Sequence, residues 1–215
     1  MKIQLLTSKN SWLNLNKKKF INDYFKKFTK QISIIYDFKK ISKDTDLCII
    51  LSYYRIIPKK YLELTKHNLV VHESNLPNGK GFSPLYWQIL EGKNRITFTL
   101  FEATKKTDAG KFYFKKKFLF KKILLFNEIK NLQIKYALEL ISKFIKKYKK
   151  TGQVKSYSQI GKSSFYKKRN INMSKLNLKR SINDQINLLR ICDNKKFPAF
   201  FYYGGKKFTI KIKKN

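Results

Sequence analysis

The sequence has 215 residues, of which 42% are hydrophobic, enough for one globular domain or one domain with a small appendage. Its formal net charge is +36, because 49 Lys and Arg residues face only 13 Asp and Glu residues. No apolar stretch is long enough to span a membrane, and the N-terminus turns polar too early for a signal peptide. We therefore expect a cytoplasmic protein whose two cysteines, Cys48 and Cys192, are reduced.

Lysine carries almost all of the positive charge, since only 5 arginines occur in the chain. The lysines are spread along the whole sequence and do not cluster in one segment. Arginine is the side chain that most often recognises phosphates and base edges with paired hydrogen bonds. We therefore interpret the charge mainly as solvated surface. It would still help to hold anionic ligands.

The first third of the chain alternates between apolar runs and amphipathic segments. The runs predict strands at residues 2–7, 32–35, 46–52 and 69–71, and the spacing predicts helical segments at 20–30 and 59–65. This alternation is typical of a parallel sheet with helices on both faces. Ser8 to Ser11 stand where a G-x-G-x-x-G motif would follow the first strand, so a dinucleotide site is not expected.

Residues 68–110 contain the strongest functional signals. The predicted strand 69–71 ends at His72, and a further strand at 96–101 is followed by Asp108. A histidine at the end of one strand and a carboxylate after the next can meet in one crevice. Between them a short helix is expected, with Ser83 as its N-cap and Pro84 as its first residue.

The remaining chain divides into a long helix and a smaller extension. The pattern predicts a lysine-protected edge strand at 111–120, a helix at 127–150, a linker at 151–178, a helix at 178–191 and a hairpin at 197–212. We therefore expect a main domain at 1–150 and an extension at 151–215. Arg169, Arg180 and Arg190 are candidates for a phosphate, or for surface or interdomain ion pairs.

Several motifs resemble the folate-dependent formyltransferase family. The run His72-Glu73-Ser74-Asn75-Leu76-Pro77, then Gly81-Phe82-Ser83-Pro84, resembles that family's H-x-S-x-L-P…G-x-x-P signature. Asp108-Ala109-Gly110 resembles its D-x-G motif, and the tail motifs N-L-L-R and P-A-F at 187–200 are also similar. The resemblance implies a Rossmann-like, mostly parallel α/β formyltransferase fold. It also implies 10-formyltetrahydrofolate as co-substrate and no metal.

The resemblance implies a catalytic role for His72, supported by Asp108. Formyl transfer to an amine needs a group that titrates near neutral pH and a donor for the developing oxyanion. The family has an asparagine two residues before the histidine, and here that residue is Val70. Asn75 is the expected substitute donor. The alternatives are Ser74, a charged His72 helped by backbone amides, or a weak or inactive relative.

Binding roles are implied for two further groups of residues. Those expected to line the folate pocket are Tyr53, Tyr54, Arg55, Ile56, Ser74, Leu76, Pro77 and Gly81. Those expected to bind the acceptor are Phe82, Ser83, Trp87 and Arg169. His67 lacks a motif around it and is expected at the surface.

The expected acceptor is an amino sugar, carried as a sugar nucleotide for surface polysaccharide, because few residues follow the long helix. Formylation of methionyl-tRNA is the alternative, and a non-catalytic RNA-binding relative is a third. Apart from tRNA, nucleic acid is not expected as a partner, and neither is a membrane. The sequence leaves open whether the chain forms a homodimer.

Overall fold

A six-stranded mixed sheet forms the centre of the computed structural model, which describes residues 1–11 and 21–214. The strands of this sheet are β1 (Ile3–Leu6), β2 (Ile32–Ile35), β3 (Leu47–Ile50), β4 (His67–His72), β6 (Arg95–Glu102) and β7 (Phe112–Leu119). Two short pairs complete the strands: β5 (Lys80–Gly81) with β8 (Phe165–Tyr166), and β9 (Ala199–Tyr203) with β10 (Lys206–Ile210). The α-helices are α1 (Lys59–Leu62), α2 (Pro84–Leu90), α3 (Phe126–Thr151) and α4 (Ile182–Arg190).

The strand order β2-β1-β3-β4-β6-β7 confirms the predicted α/β architecture. The first four strands in this order are parallel, whereas β6 and β7 join antiparallel to their neighbours. The segment at 111–120 forms β7, the edge strand, and its lysines discourage pairing with another chain. The carboxyl ends of the parallel strands therefore share one edge of the sheet, where open α/β sheets bind ligands.

Both faces of the sheet are covered by helices, as predicted. The long helix α3 buries an apolar stripe against one face, together with Phe25 and the aromatic side chains of β6 and β7. The opposite face packs a smaller cluster that includes Leu6, Ile50 and Leu62, with a 3₁₀ turn at Phe38–Lys40 and helix α1 above it. Alternate residues of β4 consequently face two different environments.

Two local predictions need correction. The segment at 20–30 does not form an amphipathic α-helix from residue 21 onward: a five-residue π-helix spans Ile21–Phe25, and Phe20 lies outside the described residues. Ser83 occupies the N-cap position of α2, but its hydroxyl caps no amide. Its backbone is left-handed, with φ 51°, whereas a capping side chain needs an extended residue to reach the first turn.

The C-terminal region contains α4 and the predicted Gly-Gly hairpin, which is confirmed as β9 and β10. A small cluster of Leu176, Leu189, Cys192 and Ala199 holds α4 against the hairpin. Residues 151–178 are mostly irregular, as expected of a linker. They nevertheless pack back onto the main sheet, because Tyr157 pairs with Phe112 of β7, and they also pair with the loop after His72 through β8 and β5.

Arg190 joins the end of α4 to the segment before α3 by hydrogen bonds to main-chain carbonyl groups. It is only 2% exposed, and it donates from Nε to the Leu124 oxygen at 3.0 Å and from Nη2 to the Lys121 oxygen at 2.5 Å. It therefore forms neither the phosphate site nor the ion pair that the sequence suggested. Burial also lowers the pKa of its guanidinium.

We expect Arg190→Met to lower the free energy of unfolding by about 1–3 kcal/mol, because the two carbonyl oxygens that the buried guanidinium contacts lose their donors. Urea denaturation followed by circular dichroism measures the change. Arg180→Met is the matched control, since Arg180 is exposed, and it should leave the midpoint unchanged. Equal midpoints for the two variants would show that Arg190 contributes no such anchoring.

Candidate active site

His72 ends strand β4 at the edge of the sheet where the parallel strands terminate. The residue is 7% exposed, and its Nε2 lies 2.9 Å from the carbonyl oxygen of Gly79. A carbonyl oxygen only accepts hydrogen bonds, so Nε2 must carry the proton in this contact. A neutral His72 therefore keeps its lone pair on Nδ1, the nitrogen that can accept a proton.

Asp108 faces that nitrogen. Its Oδ1 lies 3.7 Å from His72 Nδ1, and its Oδ2 accepts a hydrogen bond from the Gly81 amide at 2.9 Å. The loop after β6 folds back to bring Asp108 here, and its backbone adopts the left-handed region with φ 50°. The two side chains are only 9% and 11% exposed, which strengthens the attraction between carboxylate and imidazolium. A proton accepted at Nδ1 would be stabilised by Asp108.

The two polar candidates for a substitute donor lie in different surroundings. Asn75 is exposed, and its Oδ1 accepts a hydrogen bond from Lys115 Nζ at 2.9 Å, a contact that leaves its Nδ2 hydrogens to act as donors. The Ser74 hydroxyl is buried and has no hydrogen-bond partner among the described residues. Val70, two residues before His72, packs among the apolar side chains of the smaller cluster.

The loop after β3 presents large side chains beside the same edge. Tyr54 and Ile56 are each 73% exposed, which is unusual for side chains of this size. The hydroxyl of Tyr53 is buried without a hydrogen-bond partner among the described residues. Arg55 instead lies 5.0 Å over the Phe38 ring and 3.6 Å from the Asp37 carboxylate.

The expected acceptor residues surround the start of α2. Phe82 and Ser83 are exposed, whereas Trp87 stacks on Tyr166 with ring centroids 6.0 Å apart. Arg169 lies 5.9 Å over Trp87 and donates to the Met173 oxygen at 3.5 Å. Burial lowers the pKa of Arg169, whose Nη1 has no partner among the described residues.

Residues 36–129 match the family model described as formyl transferase. This match includes the His72 loop and Asp108. This segment is therefore similar to the formyl transferase family, as the sequence motifs predicted. Among residues 1–11 and 21–214 no three His, Cys, Asp or Glu side chains group as a metal site, and no helix is long and apolar enough to cross a membrane.

The chain is similar in sequence to methionyl-tRNA formyltransferases. It is 36% identical to that of Bacillus licheniformis over 73 residues, which are 34% of this chain and 23% of the relative. The matched region thus spans about a quarter of the length of the curated relatives.

Solved structures share the whole fold at low sequence identity. A methionyl-tRNA formyltransferase from Clostridium thermocellum matches with TM-score 0.77 and 19% identity, over 99% of this chain and 92% of that chain. A sugar N-formyltransferase from a Shewanella species matches with TM-score 0.68 and 17% identity, over 99% and 97%. HypX from Aquifex aeolicus in complex with tetrahydrofolic acid matches with TM-score 0.76 and 16% identity, over 99% and 37%.

Within the formyl transferase segment, the loop that follows His72 is held by contacts that the sequence patterns did not reveal. Lys115 on β7 donates to the Leu76 oxygen at 2.5 Å, and burial lowers the pKa of this lysine. Thr99 on β6 donates to the Ser74 oxygen at 2.6 Å. The sequence did not indicate that a lysine of this edge strand contacts the loop, because most lysines in such a strand are solvated.

His67, the second histidine, is not at the surface as predicted. Its Nδ1 lies 3.1 Å from the Tyr113 hydroxyl and 3.3 Å from Glu102 Oε2, and its ring meets the edges of Phe144 and Tyr148. Antiparallel pairing of β4 with β6 brings Glu102 to the opposite end of β4 from His72. His67 therefore belongs to the packing under α3 and lies away from the candidate site.

Proposed function

We propose that the protein is an N-formyltransferase that uses 10-formyltetrahydrofolate. The observation that carries this proposal is the approach of Asp108 to the proton-accepting nitrogen of a buried His72, within a formyl transferase segment. When bound, the folate supplies an activated formyl group. The acceptor amine forms a bond to the formyl carbon, the bond from that carbon to the folate nitrogen breaks, and the proton lost by the amine is returned to that nitrogen.

His72 and Asp108 divide the proton transfer between them in this proposal. Nδ1 of His72 accepts the proton of the attacking amine, and Asp108 stabilises the imidazolium that results. The hydrogen bond from Nε2 to the Gly79 oxygen fixes the orientation of the ring. Both ring nitrogens are then occupied, Nε2 by Gly79 and Nδ1 by Asp108, so the donor to the formyl oxygen must be another group.

The loop after β3 has side chains suited to a flat, partly polar folate ring. Tyr54 and Ile56 present apolar surface, and the buried Tyr53 hydroxyl is available to a ligand. In the loop that follows His72, Pro77 is half-buried, whereas the Leu76 side chain is fully buried and could meet a ligand only through its main chain. These residues fit the expected co-substrate, whereas Arg55 is already engaged with Phe38 and Asp37.

For the acceptor we propose an amino sugar, with methionyl-tRNA as the second candidate. The lengths of the solved structures do not separate them, because 92% of the methionyl-tRNA formyltransferase chain and 97% of the sugar N-formyltransferase chain are covered. The scarcity of arginine and the packing of residues 151–178 back onto the main sheet support the small acceptor. The sequence relatives favour tRNA, and the net charge of +36 suits it.

Release of tetrahydrofolate tests the proposed activity and separates the two acceptors. The protein is incubated with 10-formyltetrahydrofolate and either a panel of amino-sugar nucleotides or charged initiator tRNA. We expect release with one of the amino sugars. Release with tRNA alone would replace the sugar by the second candidate. No release with either, together with salt-sensitive binding of unrelated RNA, would overturn the enzymatic proposal.

The residue Val70 allows a direct test of the oxyanion donor. Val70 and His72 lie on the same face of β4, so we expect Val70→Asn to place an amide beside the reacting oxygen and raise kcat about 10-fold or more. The half-buried amide should also lower the free energy of unfolding by about 1–3 kcal/mol.

Steady-state kinetics and urea denaturation measure the two effects of Val70→Asn. Val71→Asn is the matched control, because Val71 faces the main core on the other side of β4 and should lose stability without gaining activity. A fall in kcat for Val70→Asn with KM retained would show that another group already stabilises the oxyanion.

A further inference from the structure

Residues 157–166, here called the crossing segment, run over the candidate site and contact the loop that follows His72. The Gly79 amide donates to Ser164 Oγ at 2.9 Å, and the Ser163 hydroxyl donates to the Pro77 oxygen at 3.3 Å. Main-chain hydrogen bonds of β5 with β8 continue this contact. The crossing segment is thus part of the wall that holds the His72 loop in place.

One side chain of the crossing segment also holds the loop that carries Asp108. Nε2 of Gln159 lies 3.0 Å from the carbonyl oxygen of Asp108 and 2.8 Å from that of Gly110. The two hydrogens of one amide nitrogen therefore fix the main chain on both sides of Ala109. Gln159 is half-buried, so these hydrogen bonds compete only partly with water.

Few contacts other than those of Gln159 hold the loop around Asp108 from the side of the crossing segment. Residues 104–107 before it are exposed, and Asp108 itself adopts a left-handed backbone, which is unfavourable for a residue with a side chain. Its carboxylate contacts the Gly81 amide, and its distance to His72 Nδ1, 3.7 Å, exceeds that of a direct hydrogen bond. A small shift of the loop would change that distance.

We propose that Gln159 is a positioning residue, which holds the main chain at Asp108 and Gly110 so that the Asp108 carboxylate faces His72. Its effect on catalysis rests on the proposed formyl transfer, but its effect on geometry does not. The crossing segment thereby connects the two loops of the site, and its glutamine sets the distance between their acidic and basic groups.

The imidazole signals of the protein test this geometry without any substrate. The chain contains only 2 histidines, so a proton–carbon correlation spectrum of the rings resolves His72 from His67. At one fixed pH, Asp108→Asn should displace the His72 signal. Methionine has a side chain of similar length to glutamine but no hydrogen-bond donor. Gln159→Met should therefore displace the His72 signal in the same direction, by more than half the displacement found in Asp108→Asn. The His67 signal should stay in place.

Gln153→Met is the matched control, because Gln153 is exposed on the same stretch of chain, and it should leave both signals unchanged. A wild-type His72 signal in Gln159→Met, when Asp108→Asn has moved it, would overturn the proposal. So would an unmoved signal in Asp108→Asn. If Gln159→Met does not fold, Gln159→Asn replaces it; this variant reaches one carbonyl at most, and a wild-type signal there also contradicts the proposal.

Kinetics then connect the geometry with the reaction. In an active preparation, Gln159→Met should lower kcat by about 10²-fold while KM for the formyl donor changes little, because misplacement of a catalytic group affects the chemical step. If the His72 signal is displaced in Gln159→Met but the protein transfers no formyl group, the proposed function is rejected and the positioning role of Gln159 is kept. If the signal is displaced but kcat is unchanged, only the expected effect of Gln159 on catalysis is rejected.

Discussion

Replacement of His72 by glutamine is expected to lower kcat for formyl transfer by about 10²–10⁴-fold, the range typical of a lost general base. Glutamine keeps a donor that can reach the Gly79 oxygen, so the loop contact at 2.9 Å need not be lost. It cannot accept and release a proton near neutral pH. The expected loss is therefore chemical and not structural, and KM for the folate should stay within a few-fold of the wild-type value.

His67→Gln is the matched control for this prediction. It removes the other histidine, whose neighbours are Glu102, Tyr113 and the aromatic rings under α3. We expect a loss of stability in this variant with little change in kcat. Steady-state kinetics with circular dichroism spectra of both variants provide the comparison. A folded His72→Gln protein with wild-type kcat would remove His72 from the mechanism.

The fold was largely predictable because local patterns agreed with the tertiary structure. The apolar run at 46–52 contains the fully buried strand β3 in a sheet covered on both faces, and such strands show continuous apolar sequence. The β-branched run at 32–35 forms the edge strand β2, which is only partly buried. The long helix was visible from its spacing. The segment at 20–30 was mistaken because aromatic spacing does not distinguish an α-helix from a shorter π-turn that buries Phe25.

The candidate site was predictable only in part, for a physical reason. His72 and Asp108 lie at the ends of strands, so the order of elements along the chain brings them to one edge. The contacts that hold them come from distant positions such as Lys115 and Gln159, which lie in unremarkable sequence. Long-range hydrogen bonds to main-chain carbonyls leave no periodic pattern, and hence only the structure reveals them.

Gly110 is expected to be the residue in the Asp108 loop least tolerant of substitution. A Cβ added there would lie 1.7 Å from the Glu102 carbonyl oxygen and 2.8 Å from its carbon, and both are main-chain atoms. Neither can rotate away, so Gly110→Ala must displace the loop itself. We expect a loss of about 1–3 kcal/mol in stability from the overlap. Because Asp108 lies two residues away, kcat should also fall by about 10²-fold.

Gly92→Ala separates this steric effect from the general cost of replacing a glycine. No heavy atom lies within 4 Å of a Cβ added at Gly92, although its φ of +79° makes alanine unfavourable by about 1–2 kcal/mol. Gly92→Ala should therefore lose stability but keep kcat, whereas Gly110→Ala loses both. Urea denaturation and steady-state kinetics distinguish the two variants, and the His72 ring signal reports whether the loop has moved. Wild-type kcat in Gly110→Ala would show that the close approach of the loop to Glu102 is not needed to place Asp108.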